Sequence, residues 1–378
     1  MPELLISAGP GEWRAAWVED GEATELYVER GDTKPAGSRH LGRVIRVVPG
    51  LDAALVDIGD ERPGFLPLRD MPAGTKAVEG MRLVVEVRRE AWADKAPRLT
   101  AKMNVPEPPA FAAPAQLFPA TGLAAALALR LSAAPDRVTA DDAAILIELR
   151  AAFPHAPITQ RAAQDWPVDL DALFDTALAS SLALDTGGAV HFEETRTATL
   201  IDVDTGMPVR GSAVRAALAA NLAAAPLIAR ELRRRNIGGA VVIDFVGLDR
   251  RAHRDDVRQA LEGALAADPM VPQVLGWTRL GHLELLRPRR ARSLADAMLD
   301  PSSRSKQPIA LAHEALRRVQ REARANPAAN WRLNVAPAVA AALRGPAAAA
   351  LAALEAGLGR HVAIDGVARG EGFDIAPL

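Results

Sequence analysis

The apolar and polar positions alternate most clearly in the first hundred residues. Leu4-Leu5-Ile6-Ser7, Trp13–Val18 and Thr24–Glu29 are short strand patterns separated by turn residues. Val44–Val48, Ala53–Ile58, Gly64–Leu68, Arg82–Val87 and Pro97–Thr100 follow closely. Short strands at that density predict a small closed barrel. Pro106–Pro119 is rich in Pro and Ala and reads as a connector. Helical spacing predicts helices at Thr121–Leu131, Ala140–Phe153 and Leu170–Leu184. A hairpin, Gly188–Glu193 and Thr197–Val203, leads into a long amphipathic helix near Ser212–Asn236. Next come an apolar strand ending at Asp244 and a helix at Asp255–Ala267. Pro288–Pro308 is polar and basic, as linkers are. The remainder predicts a small α/β lobe: a helix at Ile309–Ala325, a strand at Trp331–Val335, Ala-rich helices and a strand at Arg360–Ile364.

Two of these strands end in acids. Thr199-Leu200-Ile201-Asp202-Val203-Asp204 is one, and Ala240-Val241-Val242-Ile243-Asp244 the other. Asp202 and Asp204, two residues apart, share a strand face. A strand–helix–strand unit would bring Asp244 to the same sheet edge. Three carboxylates at one edge suit Mg²⁺, which takes oxygen ligands and keeps waters. The plainer reading is that these are turn acids closing a strand.

Composition narrows the chemistry. The chain has 378 residues, 49% apolar and 24% charged, which is globular and long enough for several domains. The formal net charge of −2 means that any nucleic-acid contact must come from local patches. The chain has no cysteine, so disulfides, thiolate zinc sites, iron–sulfur clusters and cysteine nucleophiles are excluded. No run of about 18 uncharged apolar residues is present, and the N-terminus has no signal-peptide pattern. The expectation is a cytoplasmic protein without a membrane partner. The seven histidines show no ligand spacing, and there is no phosphate-binding glycine loop. Asp-Thr-Gly occurs twice, at 185–187 and 204–206, too close in sequence for the two lobes of an aspartic protease. Arg233-Arg234-Arg235 is either a phosphate patch or a helix C-terminus complementing its dipole. Phe65 is either core or a base-stacking platform.

Several ordered blocks carry a resemblance. Leu200–Gly206, Asn221–Gly239, Val242–Phe245 and Trp277–Glu284 resemble the catalytic core of the ribonuclease E/G family. Gly42–Gly59, Glu61–Leu68 and Pro97–Thr100 resemble its barrel. The resemblance implies an α+β multidomain chain. An RNase H-like subdomain (1–36 and 120–184) would be interrupted by an OB-fold RNA-binding barrel (37–105). A DNase I-like catalytic subdomain (185–290), a linker (291–308) and a small C-terminal α/β domain (309–378) would follow. It implies a Mg²⁺-dependent endoribonuclease, Mn²⁺ being possible, that cuts single-stranded RNA and leaves 5′-phosphate and 3′-hydroxyl ends. Asp202 and Asp244 match the family's metal-binding aspartates, and Asp204 stands where asparagine is usual. Phe65 matches an RNA-stacking aromatic, and Leu55 stands where a second aromatic is usual. Lys95 lies near a basic position used for RNA, and Arg43 and Arg98, in the matching barrel blocks, join it as RNA-binding candidates.

Two family features are missing. The stretch that would house a 5′-monophosphate pocket is shortened to Pro106–Asp136, and the Cys-x-x-Cys zinc link is replaced by Asp300–Pro308. The expectation is no zinc, and a monomer or a dimer held without it. The alternative is a weak or inactive RNA-binding protein that keeps the fold.

Overall fold

The computed structural model describes residues 2–378 apart from 32–33, 61, 92–94, 104–109, 111, 119–121, 207–212, 290 and 367–371. The predicted starts of two helices, Thr121 and Ser212, and Glu61 of the barrel block lie outside the described residues.

The chain opens with β1 (Glu3–Gly9), β2 (Glu12–Glu19) and β3 (Glu22–Glu29), an antiparallel meander. The barrel interrupts it: β4 (Arg39–Val48), β5 (Ala53–Asp57), β6 (Gly64–Pro67), β7 (Arg82–Arg89) and β8 (Arg98–Thr100). The order β5-β6-β8-β7-β4 closes because β4 also pairs with β5. Val44, Val56, Leu66, Val85 and Leu99 fill its interior. Within the Pro/Ala connector, β9 (Ala115–Phe118) adds to β4.

The first sheet then resumes. After α1 (Leu123–Arg130), β10 (Arg137–Ala140) pairs parallel with β1. After α2 (Leu146–Ala152), β11 (Ile158–Gln160) pairs parallel with β10, and α3 (Leu170–Leu178) follows. The finished order is β11-β10-β1-β2-β3. Here the expected helix at Ala140–Phe153 is corrected. Its start is the end of strand β10, whose Val138 and Ala140 are core residues. The expected helix at Leu170–Leu184 likewise stops early, and β12 (Ser181–Ala183) takes its tail.

The second sheet holds the acids. It has β12, β13 (Ala189–Glu194), β14 (Ala198–Asp204), β15 (Gly239–Asp244), β16 (Gln273–Trp277) and β17 (Leu283–Arg287), in the order β12-β13-β14-β15-β17-β16. The long helix α4 (Ala213–Arg234) joins β14 to its parallel neighbour β15, and α5 (Arg251–Leu265) precedes β16. By length and composition α4 is apolar enough to cross a membrane, and one of its faces packs into the protein core. There it buries Ala217, Asn221, Ala224, Ile228 and Leu232. The apolar ones, with Val257 and Leu261 of α5, pack in one cluster with Ile201, Val203, Val241 and Ile243. Alternation therefore leaves Leu200, Asp202 and Asp244 on the exposed face.

The stretch expected as a linker contains α6 (Leu294–Met298), whose Leu294, Ala297 and Met298 are buried in the core with Leu5 and Phe174. Apolar residues at helical spacing, not the polar flanks, decide its fate. The C-terminal lobe has α7 (Pro308–Ala325), β18 (Trp331–Val335), α8 (Pro337–Arg344), α9 (Ala348–Leu358), β19 (Ala363–Asp365) and β20 (Phe373–Pro377), with sheet order β19-β18-β20.

Candidate active site and nucleic-acid interface

Register decides which acids meet. Asp202 of β14 and Asp244 of β15 are direct partners across the parallel pair. Neighbouring strands lie about 4.8 Å apart, so the two carboxylates rise side by side from one face. On the other side of β14, His191 of β13 is the partner of Asp202, and Ala189 that of Asp204. On the other side of β15, Ile243 pairs with Leu283. One residue further, His282 Nε2 lies 3.7 Å from Asp244 Oδ2. The result is a polar row, His191–Asp202–Asp244–His282, across β13, β14, β15 and the turn that enters β17.

The loops that follow Asp244 and Asp204 are both held in place. Asn221 of α4 is fully buried; its Nδ2 donates to the Val246 carbonyl at 2.8 Å and its Oδ1 accepts from the Val246 N–H at 2.9 Å. That pair of bonds locks the loop just after Asp244. Gly206 has φ +67°, and a Cβ there would stand 2.1 Å from the Gly187 carbonyl oxygen. A Cβ on Gly188 would stand 1.9 Å from that of Asp204. The two Asp-Thr-Gly segments are thus neighbours, a turn pressed on a strand end in one sheet.

The acids are exposed, with side-chain accessibilities of 47% for Asp204 and 59% for Asp244. Asp204 Oδ2 lies 2.9 Å from His191 Nε2, and Asp204 Oδ1 accepts from the Gly206 N–H at 2.6 Å. The His191 hydrogen bond, then that of Gly206, holds Asp204 below the usual carboxylate range. Among the described residues, no lysine or arginine forms an ion pair with Asp202 or Asp244. Nor do three His, Asp or Glu groups already gather about one point. Asp202, Asp204 and Asp244 share the sheet edge, but Asp204 is engaged by His191. The donor set itself fits a hard divalent cation: register-paired carboxylate oxygens, open to water, whose charge no protein cation offsets.

The barrel carries a second row. Arg46, Leu55, Phe65, Arg98 and Arg89 are successive register partners across β4, β5, β6, β8 and β7. Phe65 is half-buried beside Leu55 and points away from the core that holds Leu66. Phe65 thus lies between Leu55 and Arg98, in a row whose ends are Arg46 and Arg89. Arg98 lies 3.7 Å from Asp70. Arg43 is exposed one step along β4, opposite Asp57 and Arg82, and Lys95 is exposed just before β8. A further aromatic, Phe118 of β9, is 48% exposed, with the Arg39 guanidinium 5.7 Å from its ring centre.

The arginine triplet resolves differently. Arg233 donates to Glu25 at 2.8 Å and Glu19 at 2.9 Å; Arg234 donates to Glu231 at 3.0 Å. Arg235 donates to Glu231 at 2.8 Å and stands 4.4 Å over the Phe192 ring centre. All three clamp α4 to the first sheet or to its own core rather than offering charge to phosphate. Arg130, in the shortened stretch, lies between Glu29 and Glu90 at 2.7 Å each.

Comparison with known proteins adds the family. Residues 164–290, which hold the whole acid row, match the model of the ribonuclease E/G family. That segment is similar to the ribonuclease E/G family. It is 24% identical to ribonuclease G of Escherichia coli, over the whole of this chain and 99% of that one. With ribonuclease G of Haemophilus influenzae it shares 26% identity over 79% of this chain and 82% of the relative. With ribonuclease E of a Nostoc species it shares 26% identity over 79% of this chain and 58% of the relative. The Escherichia coli alignment runs over 490 positions against a chain of 378, so the relative carries segments that this chain lacks.

The row's histidines and Asn221 escaped the sequence reading. His191 and His282 are far apart in sequence, and only the antiparallel register of two hairpins brings them to the acids. Asn221 sits in a helix whose apolar spacing masks it; a buried amide in such a stripe was its one signal.

Proposed function

We propose that this protein is an endoribonuclease that cuts single-stranded RNA with the aid of a divalent ion, Mg²⁺ or Mn²⁺. The observation that carries it is the register pairing of Asp202 with Asp244 inside the segment that matches the family. The relatives bear the name ribonuclease, and an exposed, uncompensated carboxylate pair is what such chemistry needs. Asp202 and Asp244 would hold the ion, which when bound supplies charge neutralisation at phosphate and a water of lowered pKa. Asp204, hydrogen-bonded to His191, would orient that water or add a further ligand. Cleavage of the P–O3′ bond by water leaves a 5′-phosphate and a 3′-hydroxyl. Phe65 and the arginines of its row, with Arg43 and Lys95, hold the strand by stacking and salt-sensitive contacts.

The topology supports the same reading. Three antiparallel strands flanked by two parallel ones, split by a five-stranded barrel, suit an RNase H-like subdomain interrupted by an OB fold. The mixed sheet with the acids suits the DNase I-like subdomain. The working place would be the cytoplasm, and any dimer would be held by protein surface without zinc.

A metal-titrated cleavage assay on single-stranded RNA tests this. Asp202→Asn or Asp244→Asn should lower the rate at least ~100-fold, the scale of losing an electrostatic stabiliser, with RNA affinity kept. Cleavage at the wild-type rate sinks the assignment. No cleavage by the wild type at any metal concentration, with RNA still bound, would instead identify a binding protein that has lost catalysis.

A further inference from the structure

We propose that the turn Thr278–His282 is a substrate clamp, in which Arg279 binds a phosphate next to the one cut and Leu280 lies against a base of the single-stranded RNA. The inference rests on reading Asp202 and Asp244 as the cleavage site and adds a group that holds the strand beside it. Register places the turn. Leu283 of β17 pairs with Ile243 on one side and with Trp277 on the other. One residue on, Asp244, His282 and Thr278 therefore stand abreast, and Arg279 follows Thr278. Two strand spacings and one residue step put the Arg279 backbone about 10 Å from that of Asp244. A side chain as long as arginine's reaches a phosphate lying between them.

The turn is held firmly and its tip is uncommitted. The Thr278 N–H donates to the His282 carbonyl at 2.8 Å, and the Gly281 N–H donates to the Thr278 carbonyl at 3.1 Å. The His282 N–H donates to Thr278 Oγ1 at 3.1 Å. Gly281 has φ +95°, which a residue with a Cβ rarely adopts. Leu280, 84% exposed, is the most exposed large apolar side chain among the described residues. Arg279 is exposed, and its side chain forms no ion pair or hydrogen bond among the described residues. Arg233, Arg234, Arg235 and Arg287 of the same region all meet acids. A free guanidinium on a fixed turn is a ready phosphate donor, forked to match two oxygens at once. The leucine beside it offers apolar surface to the flat face of any base.

The experiment uses the full chain and a fluorescently labelled single-stranded RNA, with EDTA present so that nothing is cut. Anisotropy at several salt concentrations gives the affinity and the salt slope. Arg279→Gln should weaken binding about 10-fold at low salt, the scale of one charged hydrogen-bonded contact. It should also reduce the salt slope by roughly one ion. Arg279→Lys, which keeps the charge, should restore the slope. Leu280→Ser should weaken binding by about threefold with the slope unchanged. With Mg²⁺ added, Arg279→Gln should raise KM by about 10-fold and leave kcat within about twofold, as loss of a contact outside the reacting phosphate does. Both positions lie on an exposed tip, so thermal unfolding midpoints should match that of the wild type. Unchanged affinity and slope in Arg279→Gln would overturn the clamp and leave the acid pair standing. A fall in kcat at unchanged KM would move Arg279 to the scissile phosphate and overturn its assignment to the neighbouring one. Absence of RNA binding by the wild type would sink the ribonuclease reading and the clamp with it.

Discussion

Glu12 and Asp202 are both carboxylates on strands, and they sit in opposite electrostatic settings. Glu12 is fully buried at the start of β2. It accepts from Arg14 at 3.0 Å, from Arg30 at 2.7 Å and from Arg317 of α7 at 2.7 Å. Arg14 also lies over the Phe174 ring, 5.1 Å from its centre. Asp202 is exposed, faces Asp244, and has no cation partner among the described residues. A buried charge survives only when it is compensated, so Glu12 belongs to the architecture: it bolts the C-terminal lobe to the first sheet. An acid left uncompensated beside a second acid is unfavourable for folding alone, and its natural partner is a cation from solution. Compensation thus separates structural charges from functional ones in this chain.

The largest expected effect tests that contrast by stability. Glu12→Gln leaves three buried arginines short of a counter-charge and should cost about 3–5 kcal/mol. Asp202→Asn should be neutral or slightly stabilising, since it removes a like-charge repulsion. Chemical denaturation of both variants checks this, and equal losses would break the distinction. The pH dependence sharpens it. Burial acts to raise the Glu12 pKa, but Arg14, Arg30, Arg317 and His313 together hold it well below its ordinary 4.5. A depressed folded pKa gives stability that is fully present above about 4.5 and is lost as pH falls below it. Wild-type stability should therefore decline in that acid window more steeply than that of Glu12→Gln.

The same contrast explains what was legible in the sequence. The acid-ended strands β14 and β15 could be read because each is an apolar run closed by an acid and one helix joins them, which fixes parallel pairing. The barrel was legible from strand density. Strands of three or four residues, β10, β11 and β12, carry too few positions for any period to show, so the expected helices took in all of β12 and the last residue of β10. The Arg233–Arg235 run was ambiguous because a charge's role depends on its partner, and Glu19 and Glu25 lie two hundred residues away. The row His191–Asp202–Asp244–His282 was half visible: the acids end their strands, whereas hairpin register alone places the imidazoles.

A smaller effect is expected on the barrel, where Phe65 lies between Leu55 and Arg98 in a row whose ends are Arg46 and Arg89. Phe65→Ala should weaken RNA binding by about 1–3 kcal/mol, the worth of one stacked base, without changing the salt dependence. Arg46→Ala should reduce the salt slope by roughly one ion instead. Equilibrium binding at several salt concentrations separates the two. A Phe65→Ala protein that binds RNA as wild type does would return Phe65 to a packing role.

The smallest expected effect is none at all, and it comes from a compensated charge. Reading a 5′-monophosphate needs donors that are held rigidly and left free for the phosphate. The shortened Pro106–Asp136 stretch offers Arg130, whose guanidinium is spent on Glu29 and Glu90 at 2.7 Å each. Burial opposes its charge, but those two carboxylates hold it firmly protonated, and the ion pairs tie α1 to the first sheet and to the end of β7. Freeing it for a phosphate would leave two buried glutamates uncompensated, at a cost of several kcal/mol. Arg137 is exposed at the start of β10, on a ladder partner of Glu3 rather than in a pocket. Cleavage rates on one RNA carrying a 5′-monophosphate or a 5′-hydroxyl should therefore agree within about twofold, well under the tenfold that 1.4 kcal/mol of recognition would give. A strong preference for the monophosphate would mean that a compensated arginine can still serve a ligand, and the contrast between Glu12 and Asp202 would lose its force as a guide to function.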